Sequence, residues 1–404
     1  MAAIPTSAGA AIAQENIDIY LPHCLDPVSL QDFGYAYQPD GTLRHIATQT
    51  PFKFLSQKHY DLLGNAVVEE IYRMMESSEM NLRRHPFPLD ADLASEPSCP
   101  IFASANAEEC ETVMLLCQGS GAVRPGMWAR ALCMNNTLDR GTVFPYIRDA
   151  QSRGWGVLVL NPNENLGAVP TGNGAANANE GDAPPAVATS SSATADGIDA
   201  IRAAWVDVSK EEWAAKSRAE RAAMQWIRDS DAPEVHMISA YNNVLPALFP
   251  NMKRLLIVAH SYGGKCVTAL VRSVIVQSND EGKSARFHSL VPAIALTDAI
   301  NDLKRQDRKT VKSFMQQRTI NWIASSKHLD ASMPIGPEKS LELSSGHTDH
   351  VHTSESCRTS VMSLFDEVCR AIPVGKEDIS VVAKHCAKLS SAARRNEVNT
   401  SECC

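Results

Sequence analysis

The sequence predicts an α/β protein: a sheet of mostly parallel strands with helices on both faces. Three observations carry that prediction. Short runs that are apolar throughout recur along the chain, helical patterns separate them, and turn-forming residues follow each run. A strand covered on both faces has no solvent side, so it loses the polar alternation of a half-exposed strand. Strands separated by helices need crossover connections, and those build a parallel sheet between helical layers.

In chain order, "GTLRHI" (41–46) reads as a short strand and "HYDLLGNAVVEEIYRMMES" (59–77) as a helix. The apolar runs follow at Val113–Cys117, Gly156–Leu160, Leu255–Ala259, Val291–Leu296 and Thr319–Ala324. Ser209–Ser230 opens on a serine cap with charges in its first turn and reads as a helix. Ser356–Ile372 places Val361, Leu364, Val368 and Ile372 at three- and four-residue spacing, one face of a second helix. Gly167–Gly197 is Gly, Ala, Ser, Pro and Asn with almost no large apolar residue. Such a stretch buries too little surface to offset its ordering entropy, so it reads as disordered. The expected organisation is an N-terminal extension (1–32), one α/β domain (33–375) with a disordered insertion at 167–200, and a polar C-terminal tail (376–404).

Composition narrows the functional classes. The chain has 404 residues, is 44% hydrophobic and 21% charged, and carries a net charge of -8. That suits a folded soluble protein and argues against broad electrostatic binding to phosphate backbones. The 11 cysteines lie singly with no C-x-x-C pair, which reads as reduced thiols in a cytosolic or nuclear setting. "MAAIPTSAGAAIAQENIDIY" lacks a positive start and a long apolar core, so no secretory signal is expected. No run reaches the roughly 18 apolar residues of a spanning helix. The terminal Cys403-Cys404 pair has no C-a-a-X pattern around it.

Ligands of an open parallel sheet gather where the strands end. Gln118-Gly119-Ser120-Gly121 follows the first buried run, and His260-Ser261-Tyr262-Gly263-Gly264 follows the third. Asp298 ends the fourth, Asp330 closes the loop after the fifth, and "SSGHTDHVHT" supplies His347, His350 and His352. Serine, then acid, then histidine is the chain order of an α/β-hydrolase triad. A nucleophile on a sharp strand-to-helix turn needs small residues two before and two after it, here Ala259 and Gly263. The candidate catalytic residues are therefore Ser261, His350 and either Asp298 or Asp330. The Tyr262 amide and the loop Gly119, Ser120, Gly121 are the candidate oxyanion donors. A phosphate loop ending at Gly264-Lys265 fails, because Ala259 stands where it needs glycine and Cys266 where it needs a hydroxyl. The crowded His347, Asp349, His350 and His352 have no second cluster at metal-ligand spacing, so no metal or other cofactor is expected.

"GSGAVRPGMWAR" (119–130), "VLVLNPNEN" (157–165), "IVAHSYGG" (257–264), "IALTD" (294–298), "NWIASS" (321–326) and "HLD" (328–330) resemble the argonaute-binding protein two (Arb-two) domain family. "FGYAYQPDGTLRHI" (33–46) and "HYDLLGNAVVEEIY" (59–72) resemble its opening segment. The resemblance spans Phe33 to Ile372. It implies an α/β-hydrolase-like fold whose members act in argonaute- and small-RNA-linked heterochromatin formation or cotranscriptional regulation. Protein partners linked to argonaute or chromatin, and a nuclear or cytoplasmic location, are what it implies here. Lys265-Cys266 and "TDHVHT" depart from the family's pattern. Two functions follow for testing: an interaction factor of that kind, and a serine hydrolase acting on esters or thioesters.

Overall fold

The computed structural model describes residues 29–168, 224–277, 281–300, 302–334, 336 and 338–401. Its strands are β1 (Tyr35–Tyr37), β2 (Leu43–His45), β3 (Leu82–Phe87), β4 (Cys99–Ser104), β5 (Thr112–Cys117), β6 (Gly156–Val159), β7 (Leu166–Ala168), β8 (Met224–Trp226), β9 (Arg254–His260), β10 (Ala293–Thr297), β11 (Thr319–Ile323) and β12 (Leu341–Ser344). Eight of them form one sheet in the order β12-β11-β10-β9-β5-β6-β4-β3. The β3–β4 and β4–β6 pairs are antiparallel, and every other pair in that sheet is parallel. All five apolar runs lie in the parallel part, where strands are covered on both faces.

The principal helices are α1 (Gln57–Met75), α2 (Phe144–Gln151), α3 (Pro233–Ser239), α4 (Gly263–Arg272), α5 (Glu281–Leu290), α6 (Lys309–Arg318), α7 (Arg358–Ala371) and α8 (Ser380–Ser401). Successive residues of β9 divide between two cores. Leu256 and Val258 pack with residues of α1, α2, α7 and α8, while Leu255, Ile257 and Ala259 pack with residues of α3, α4, α5 and α6. Each face of the sheet thus has its own helical layer.

Four expectations change. The helix expected over Ser209–Ser230 lies outside the described residues up to 223. Its end, Met224–Trp226, is a strand that pairs antiparallel with Leu166–Ala168. Ile227 then donates to Asn165 O at 2.8 Å and is fully buried, so tertiary pairing overrides helical propensity there. Gly167 and Ala168 of the expected disordered insertion belong to β7, and its remainder lies outside the described residues. The expected polar tail contains α8. Val381, Val382, Cys386 and Ala393 bury along one sparse stripe of this helix, which packs on α7 and the β11–β12 edge. At the other end, Leu30 is already buried, so the packed body begins before Phe33.

Val382 is 1% exposed, so Val382→Asp places a carboxylate in the seam between α8 and the body. The expected cost is about 3 kcal/mol or more in urea unfolding, because the carboxylate loses its water and the valine its apolar contacts. An unchanged midpoint would mean that α8 is not part of the folded unit.

Candidate active site at the carboxyl ends of the strands

Ser261 follows β9 directly and sits in the left-handed region at φ 53°. Its backbone is held from three sides: its N–H donates to Thr297 O at 3.3 Å, and its carbonyl accepts from Gly264 at 3.2 Å and Ile300 at 2.9 Å. Crowding explains the small residues around it. A Cβ at 263 would lie 2.9 Å from Cys117 O and 3.3 Å from Ala259 Cβ. A Cβ at 119 would lie 2.7 Å from Ser261 Cβ, so the early glycine loop packs straight onto the serine. Asn163 steadies that loop by donating to Gly119 O at 2.6 Å and Val123 O at 3.1 Å. Ser120 and Gly121 beyond it are exposed. Helix α4 starts with Tyr262 as its cap residue and no side-chain cap hydrogen bond; the Gly264 amide is taken by Ser261 O and the Lys265 amide by Tyr262 O, at 2.9 Å.

Asp298 leaves β10 next to Ser261 and is also left-handed, at φ 46°. Its N–H donates to Trp322 O at 2.7 Å, and its Oδ1 accepts from the Ala324 amide at 3.0 Å. Its Oδ2 meets His350 Nδ1 at 2.6 Å. His350 opens a short 3-10 turn whose cap, Asp349, accepts from the Val351 amide. Thr353 Oγ1 donates to His350 O at 2.9 Å, and Ser354 Oγ bonds Thr297 Oγ1 at 2.7 Å, tying this loop to the end of β10. The His350 ring stacks on His260, centroids 4.6 Å apart and 29° between planes. Since His260 immediately precedes Ser261, the Asp298–His350 pair lies at the same end of the sheet as the serine.

Asp330 does not join them. Its Oδ1 accepts from Trp322 Nε1 at 2.8 Å and its Oδ2 from Ser360 Oγ at 2.7 Å, which makes it a clamp between β11 and α7. Between the two aspartates left open by the sequence, only Asp298 faces His350. His347 and His352 instead lie against each other, centroids 4.4 Å apart with their planes tilted by 36°. Among the described residues, no three His, Cys, Asp or Glu side chains converge as a metal site.

Two partners carried no sequence signal. Glu234, buried in the first turn of α3, accepts from the Tyr262 hydroxyl at 2.9 Å and pairs with Lys265 at 3.1 Å. The Lys265 ammonium also donates to the Tyr262 oxygen at 2.7 Å. His260 is the other: its Nδ1 lies 2.7 Å from Thr297 O.

The two stacked histidines are tuned in opposite directions. Burial, with the nearby His350 charge, pushes His260 down to about 4, so it is neutral and donates Nδ1–H to Thr297. The hydrogen bond to Asp298 raises His350 above the usual histidine value against partial desolvation. Burial raises the Asp298 carboxyl, but the hydrogen bonds from His350 and Ala324 and the adjoining imidazoles outweigh it and leave it lowered. Because the folded His350 value is raised, its pairing stabilises the fold fully below about 6.5 and loses that contribution as pH rises through the folded value. Asp298→Asn should return the His350 titration, followed by imidazole NMR, to the ordinary value or below. A titration unmoved by that change would mean that the carboxylate does not set it.

The profile of the Arb2 domain matches residues 26–329. "Cotranscriptional regulator ARB2A" of Mus musculus is 33% identical over 367 residues, covering 85% of this chain and 82% of that protein. The Homo sapiens protein of the same name is 33% identical over 365 residues with the same coverage. A homolog of it in Dictyostelium discoideum is 30% identical over 337 residues, covering 82% and 77%. Among solved structures, "A histone deacetylase from Saccharomyces cerevisiae" aligns over 76% of this chain and 98% of that one, at 8% identity and TM-score 0.39, too low a likeness to bear on fold or activity.

Proposed function

This chain belongs to the Arb2 domain family, and from that premise we propose a cotranscriptional regulator that carries a serine acyl-transfer site. The observation that carries the chemical half is the Asp298–His350 hydrogen bond of 2.6 Å beside the left-handed Ser261. The α/β-hydrolase-like reading of the fold has support from two sources. Antiparallel strands lie at one sheet edge and parallel strands fill the rest, and serine, acid and histidine follow in chain order at the strand ends.

In this reading Ser261 Oγ attacks the carbonyl carbon of an ester or thioester, and His350 Nε2 takes its proton. Asp298 holds the Nδ1–H edge of the ring and stabilises the imidazolium. Amides of Tyr262 and the Gly119–Gly121 loop bond the oxyanion, and His350 returns the proton to the leaving group. Water activated by His350 then hydrolyses the acyl-serine. Neutral His260 suits a ring stacked on an imidazole that must become cationic, since a second cation there would oppose it.

A fluorophosphonate probe should label the wild-type chain and fail to label Ser261→Ala. Labelling should weaken as pH falls through the raised His350 value, and Asp298→Asn should slow it on the order of a thousandfold or more. A wild-type chain that takes no label removes the acyl-transfer reading.

The regulatory half rests on family membership and on the relatives' name. It extends to protein partners linked to argonaute or chromatin, and to a nuclear site of action. Affinity purification of the full chain from nuclear extract should enrich argonaute-linked or chromatin proteins above a tag-only control. Enrichment equal to that control would exclude these partners.

A further inference from the structure

We propose that a cleft at the opposite end of the sheet from Ser261 binds a small amphipathic carboxylate, an acyl chain with an anionic head. The cleft holds about 670 Å³, within the range of ligand sites. It opens where β9 and β10 begin, because Met252 and Leu290 line it just before those strands start. Ile238, Phe249, Val274 and Leu290 give it an apolar floor, each at most 6% exposed.

Its walls are unusual. Both helices that border it break into π-turns at the cleft: Ala240–Val244 after α3 and Ser273–Gln277 after α4. A π-turn carries an extra residue per turn and recurs at functional sites. The local causes are legible. Asn242 and Asn243 are poor helix formers, the latter donating to Ser239 Oγ at 3.0 Å, and the β-branched run Val274-Ile275-Val276 crowds a regular helix. The second turn is covalently continuous with α4, whose first residue, Gly263, lies two positions after Ser261.

The head group follows from charge. Lys283 and Arg286, one turn apart on α5, form one wall. No carboxylate lines the cleft among the described residues, although the chain carries a net charge of -8. A guanidinium beside an apolar floor matches a carboxylate whose tail lies in the cleft.

The test titrates the full chain with 1-anilinonaphthalene-8-sulfonate and displaces it with decanoate. One saturable site is expected. The double variant Arg286→Glu, Lys283→Glu should weaken decanoate by about tenfold or more, and Asn242→Trp, which fills the cleft from its exposed rim, should do the same. Ser261→Ala should leave the titration unchanged, which separates this site from the serine. Melting midpoints confirm that each variant is folded. Equal decanoate affinity in the charge-reversed and filled variants would overturn the proposal, as would equal displacement by uncharged decanol or none by decanoate.

Discussion

Everything at the candidate site depends on how two neighbouring parallel strands end. The register sets His260 beside Thr297, so the chain leaves β9 and β10 at the same level. Ser261 and Asp298 are the next residues, and both turn left-handed at once. A left-handed non-glycine residue is costly unless its surroundings over-determine it. Here they do: the Ser261 backbone bonds Thr297, Gly264 and Ile300, and the Asp298 amide bonds Trp322. The second of these turns holds its carboxylate against His350, whose loop is tied to the end of β10 through Ser354 and Thr297. Glycine at 263 and 119 is what lets the backbones approach this closely.

The histidine pair illustrates how placement, not residue type, sets protonation. His260 is sealed beneath the rim and loses its charge to burial. His350 remains half in solvent and gains charge from the carboxylate on its edge. Stacked rings with centroids 4.6 Å apart are therefore tuned in opposite directions. Below the same rim, the Glu234–Tyr262–Lys265 cluster fixes the side chain of the residue whose amide lies beside the serine.

Much of this was legible in the sequence because buried parallel strands leave a strong apolar signature. All five central strands fell within one or two residues of the runs that predicted them, and the loops after them hold the site. The edges were not legible. Leu82–Phe87 carries Arg83, Arg84 and Pro86, and its polar faces hide an antiparallel edge strand. Helix α8 presents too thin an apolar stripe among serines and lysines to stand out. The choice between Asp298 and Asp330 could not be read from spacing, since both are left-handed residues after strands. Only the partners, His350 for one and Trp322 with Ser360 for the other, distinguish them.

The β7–β8 pair has a consequence for how this fold tolerates change. Its register joins Leu166 to Trp226, so the chain departs from and returns to the body at adjacent points. Lengthening whatever connects two such points costs little, about 0.6 kcal/mol for each doubling of a flexible loop. Asn163, which braces the glycine turn, sits on the body side of that junction. An experimenter can therefore ask what the rim owes to the connecting segment by closing Ala168 to Met224 directly with a short turn.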